Sequence, residues 1–107
     1  MSDSGINHLD WGTLPLLRKV VETEEFQAQR DELIEDVHRY DEVRAGVDWA
    51  LSREPEIFPF GYEPWGIRVL KTVRHGNLPR LRLFFTSTDD TVVLRWIEIL
   101  ADEEETA

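Results

Sequence analysis

No cysteine occurs in these 107 residues, which excludes a disulfide framework, a thiolate metal site and a cysteine nucleophile. Cations are scarce as well: 12 Lys and Arg face 22 Asp and Glu, for a formal charge of −10. A chain so acidic repels polyanions as a whole. Long apolar runs are missing, and no stretch approaches the ~20 apolar residues of a membrane helix. Residues 1–5 carry no basic stretch ahead of an apolar run, as a secretion signal would. These absences predict a soluble, cytoplasmic protein with no membrane partner, and a reducing compartment suits a chain without thiols. No glycine-rich phosphate loop and no nucleophile-elbow pattern occurs. His8, His38 and His75 lack the i, i+4 spacing of a helical zinc site, so neither a metal nor a cofactor is expected.

What is present is concentrated. Residues 64–88 hold Arg68, Lys71, Arg74, Arg80 and Arg82 and no acid, so a +5 segment sits in a −15 remainder. A cationic strip kept within an acidic chain suits a phosphate or an acidic partner; arginines on the wet face of a sheet are the plainer explanation. With 41% hydrophobic residues and four Trp, the chain suits one domain, predicted over residues 14–100, with an arm at 1–13 and an acidic tail at 101–107. The arm is expected to dock through Ile6, Leu9 and Trp11, and the tail to fray.

Residues 14–21 end in the β-branched pair Val20 and Val21 and predict a strand with Pro15 near its start. Thr23 ahead of Glu24 and Glu25 is a helix N-cap with first-turn acids. Phe26, Leu33, Ile34 and Val37 then form one apolar stripe. Asp41 is the expected cap of a second helix, whose stripe is Val43, Val47, Ala50 and Leu51 and which Pro55 ends. The acids of both helices read mostly as a solvated face. Two prolines and two glycines exclude a regular element from residues 58–66 and leave a loop of large rings, in which Phe60, Tyr62 and Trp65 are candidates for partner contact or for stapling the loop to the core.

From Ile67 the apolar period changes to that of strands. Residues 67–72 and 80–85 are joined by a turn at His75, Gly76 and Asn77, and residues 92–100, nearly continuous in apolar side chains, predict a central strand covered on both faces. The expected fold is α+β, in the order β-α-α-β-β-β, with a helical hairpin on a twisted, mainly antiparallel four-stranded sheet.

Several of these runs carry a family resemblance. Residues 21–26, Val-Glu-Thr-Glu-Glu-Phe, are similar to the opening strand and helix start of RelE/ParE-type toxins of bacterial type II toxin–antitoxin systems. Residues 49–55 resemble that family's helix end. Gly66-Ile67-Arg68-Val69-Leu70-Lys71 and Leu81-Arg82-Leu83-Phe84-Phe85 resemble its two basic strands, and residues 91–97 its closing strand, so the likeness spans residues 16–100.

The resemblance implies a cognate antitoxin as partner. It also implies either metal-independent messenger-RNA cleavage on the ribosome or inhibition of gyrase. RNA cleavage needs a base for the 2′-hydroxyl, cations for the phosphorane and an acid for the leaving oxygen. On this resemblance Arg82 is the transition-state clamp, Arg68 and Lys71 bind phosphate, and Arg74 and Arg80 extend the anion site. His75 carries an imidazole, the side-chain type that titrates near neutrality, on the neighbouring turn; a turn residue facing water is its simpler reading. The chain departs from the pattern where Asp102, Glu103, Glu104 and Glu105 stand in place of basic and tyrosine residues. The same fold without catalysis, a protein-interaction module and potential homodimer, is therefore the alternative.

Overall fold

The computed structural model describes residues 17–101. The expected arm, the start of the first predicted strand and the acidic tail lie outside the described residues. The elements are β1 (Lys19–Glu22), α1 (Glu24–Leu33), α2 (Val37–Arg53), β2 (Phe60–Tyr62), β3 (Ile67–Lys71), β4 (Leu81–Ser87) and β5 (Thr91–Ile99). They build one α+β layer pair, two helices on a five-stranded sheet of order β1-β5-β4-β3-β2.

Local chemistry explains most boundaries. Thr23 caps α1, its hydroxyl accepting the Phe26 N–H at 3.1 Å. The second cap is Asp36, not Asp41. Asp36 Oδ1 accepts the Arg39 N–H at 3.1 Å, and Ile34 is already extended. The cap therefore falls five residues earlier than expected, and Val37, expected to close the first helix's stripe, instead opens α2 and is 61% exposed. Phe26, Leu51, Leu81, Phe85, Val92 and Leu94 are fully buried between helices and sheet, with Leu70, Leu83 and Ile97 beside them.

The sheet differs from the expectation in three respects. It has a fifth strand, because Phe60–Tyr62 pairs with β3 inside the ring-rich loop. Pro59 and Pro64 flank this short strand instead of interrupting it, so their missing N–H groups cost no ladder bond. Gly61 sits at a register shift where a Cβ would stand 3.0 Å from the Phe84 ring and 3.3 Å from Val69 Cβ. The sheet is also mixed, since β1 runs parallel to β5 while the other pairs are antiparallel. Finally β5 is interior but not central, and the helices cover only one of its faces: Arg95 and Glu98 are exposed.

Charges tie the first three elements together. Glu22 of β1 accepts Arg30 of α1 at 2.7 Å and also Arg44 of α2, whose Nε donates to Asp48 at 2.7 Å. Burial pushes the Glu22 carboxyl up, but the hydrogen bonds and charges of Arg44 and Arg30 outweigh it and hold the group below the usual carboxylate range.

Candidate functional site

Strand register decides where the predicted site residues go. Across β3 and β4, Arg68 stands opposite Phe85, Leu70 opposite Leu83, Val69 opposite Phe84 and Lys71 opposite Arg82. Paired residues share a face and neighbours alternate. Arg68 therefore shares the helix-side face with core residues Phe85 and Leu70, whereas Lys71 and Arg82 lie on the second face. The five-cation segment is divided between the two sides of the sheet.

Arg68 has structural employment. Its Nη1 donates to Phe58 O at 2.6 Å and Glu56 O at 3.1 Å, and its guanidinium carbon lies 4.1 Å from the centre of the Phe60 ring. This arginine fastens residues 56–60 to the sheet edge and takes Phe60 with it. His75 is also drawn away from Arg82. Its Nε2 lies 2.6 Å from Glu42 Oε1 on α2, and that hydrogen bond holds the Glu42 carboxyl below its ordinary range. The turn is kept close to α2 by Gly76, with φ of 61°, where a Cβ would collide with the Arg39 guanidinium at 2.5 Å.

On the second face, Arg82 Nη1 lies 3.3 Å from Glu98 Oε1 of β5. Arg80 donates its Nε to Thr72 O at 3.2 Å, and Arg74 is exposed in the β3–β4 connection. Beside Arg82 the Phe84 ring stacks on Trp96 with centres 4.9 Å apart and planes 26° apart. Val69 is buried next to Phe84 under Gly61, and Arg95 reaches Thr86 Oγ1 at 3.1 Å. The register places Tyr62 opposite Ile67, and its ring meets Trp65 edge-on at 4.7 Å. Trp65 is 71% exposed.

The geometry thus joins Lys71 and Arg82 and adds Phe84 and Trp96, which sequence reasoning missed. The alternation of Arg82 and Phe84 pointed to one face, but the partner in β5 was hidden by a bulge. Phe84 pairs with Trp96 and Phe85 with Leu94, so Arg95 is extra and the in-and-out parity of β5 reverses there. Among the described residues no group of His, Asp and Glu is placed to hold a metal ion, and no helix is long and apolar enough to cross a membrane. Compared with protein-family models and with curated proteins, the chain matches none.

Proposed function

We propose that this chain is a RelE/ParE-like protein that works as a partner-binding module, with the second face of its sheet as the binding platform and an acidic protein, an antitoxin in such a system, as the partner. The observation that carries this reading is the side taken by Arg68. Cleavage of RNA needs several cations and a proton carrier around one phosphate, and here Arg68 is turned to the helix side and bonded to two carbonyls, while His75 is bonded to α2. What the second face offers is two cations side by side at one end of a ring stack, a combination suited to carboxylates set among apolar side chains.

RNA cleavage is the second reading, favoured by the pairing of Lys71 with Arg82 on one face. Tightly induced expression in bacteria separates the two. The module reading expects neither the wild type nor a folded Lys71→Ala, Arg82→Ala variant to arrest growth or bulk translation, and expects an acidic protein to co-purify with the wild type alone from its native cells. Growth arrest by the wild type alone would sink the module reading, with loss of translation assigning RNA and continued translation assigning gyrase.

A further inference from the structure

Arginine over an aromatic ring recurs in this small domain. The Arg44 guanidinium lies over the buried Phe26 ring at 6.0 Å, Arg53 over Trp49 at 4.3 Å and Arg68 over Phe60 at 4.1 Å. Among the described residues the exposed large rings are those of Trp49, Phe60, Tyr62 and Trp65. The first two carry an arginine. Tyr62 and Trp65, 46% and 71% exposed, carry none among the described residues and are paired with each other.

Backbone chemistry fixes that pair. Tyr62 precedes a 3₁₀ turn, Glu63–Trp65, and side chains three apart in such a turn fall on one side. Pro64 sets a backbone angle within the turn, and Gly66, with φ of 67°, closes it by donating its N–H to Glu63 O at 2.9 Å. The rings meet edge-on, centres 4.7 Å and planes 75° apart, and form two walls of an open corner. An offset stack such as Phe84 on Trp96 covers a face of each ring, whereas an edge-on pair leaves ring faces bare. No residue from 59 to 66 is buried, and the exposed Glu63 carboxylate engages no cation among the described residues. The net charge of −10 adds a general attraction for cations.

We propose that Tyr62, Glu63 and Trp65 form a binding site for an arginine side chain on the surface of a partner protein. The ring faces take the guanidinium plane and the Glu63 carboxylate takes its N–H groups. A quaternary ammonium fits less well, because it needs a cage of rings and has no hydrogen to donate to the acid. Two open walls and one carboxylate suit a flat cation with donors. A protein fits better than a small molecule, because an open corner gives too little contact to hold a small cation by itself. Tyr62 pairs with Ile67 at the start of β3 and Lys71 ends that strand, so the site stands at the opposite end of β3 from Lys71 and Arg82. The inference goes beyond the module reading and does not rest on it, since it concerns a basic element of a partner, whatever the rest of the second face binds.

The test uses the full chain, isotopically labelled, and a blocked tri-arginine peptide, with a blocked tri-lysine peptide of equal charge as control. Both peptides meet the acids of the helices, so the readout is local. Saturable shifts of the Trp65 indole N–H and of the Tyr62 and Gly66 amides are expected with arginine, and tri-lysine should bind there at least about threefold more weakly, since an ammonium is a point charge that does not stack. Trp65→Ala and Glu63→Gln alter exposed side chains, and circular dichroism checks that both variants remain folded. Each should weaken binding read at Tyr62 and Gly66 at least about threefold, the order of a cation–π or charge contact at an exposed site. Arg82→Ala should leave the shifts in place. Absence of shifts at these residues, equal binding of tri-lysine, or indifference to Trp65→Ala and Glu63→Gln would each overturn the proposal. So would concentration-dependent shifts of the Trp65 indole without peptide, which would assign the rings to contact between copies of the chain.

Discussion

Arg68 and Arg82 look interchangeable in the sequence, each a lone cation between apolar neighbours in a strand, yet alternation sends them to opposite faces. Arg68 donates to two carbonyls at the end of an irregular stretch, and removing it takes the charged donor from both. Arg68→Ala should therefore destabilise the fold by about 2 kcal/mol, the range of hydrogen bonds to charged groups plus a lost ring contact. Arg82→Ala gives up a surface pair with Glu98 and should cost under about 1 kcal/mol. Urea melts of the two variants check this, and equal destabilisation would remove the assignment of Arg68 to structure. The resemblance grouped these arginines by motif. Only register, which a lone sequence does not print, separates them.

Among the elements, those set by local chemistry were legible and those set by pairing were not. Thr23 with its first-turn acids marked α1 because the cap is made within four residues. The helix break was misplaced because Asp36 and Asp41 are equally good caps by type, and the choice is made by the extended backbone at Ile34. β2 was hidden because three residues between prolines form a strand only when β3 offers them an edge. The parallel pairing of β1 with β5 likewise lies between segments some 70 residues apart, as the Lys19 to Thr91 register shows.

That junction has a measurable signature. Glu22 anchors β1 to both helices, and its carboxyl is held below the usual range. A group with a depressed folded pKa contributes stability that is full above the unfolded value, about 4.3, and is lost as pH falls through the folded value. Glu22→Gln should thus lower stability by about 2 kcal/mol at neutral pH, because Arg30 and Arg44 lose the negative charge and one of the two accepting oxygens in a mostly buried place, and an amide NH2 then faces a guanidinium. The gap between variant and wild type should close as pH drops below about 4. Thermal melts at several pH values test this, and a gap that stays constant down to acid would show that the carboxylate charge is not what stabilises the junction.

For the whole molecule the decisive property is the distribution of charge. Acids crowd the exposed turns of the helices, where Glu24, Glu25, Asp31, Glu32, Glu35, Asp41 and Glu42 all face solvent, while Lys71, Arg80 and Arg82 gather toward the other side of the sheet. The sequence displayed this asymmetry as a strip along the chain, and the fold divides the strip, leaving Arg68 on the helix side and Lys71, Arg80 and Arg82 on the second face. Like charges packed on one surface repel, and a net charge of −10 on a small domain leaves that repulsion uncompensated. Salt shortens its reach, to about 8 Å at 0.15 M. The exposed ion pairs that salt also weakens are worth little each, so the repulsive part should dominate the balance. Raising salt from about 0.01 M, where the screening length is some 30 Å, to about 0.15 M should accordingly raise the melting temperature by roughly 2–6 °C, the shift that about 1 kcal/mol produces in a domain of this size. Scanning calorimetry over that range measures it. A melting temperature that falls with salt would mean that attraction between the faces, not repulsion within the helix face, governs the molecule's electrostatics.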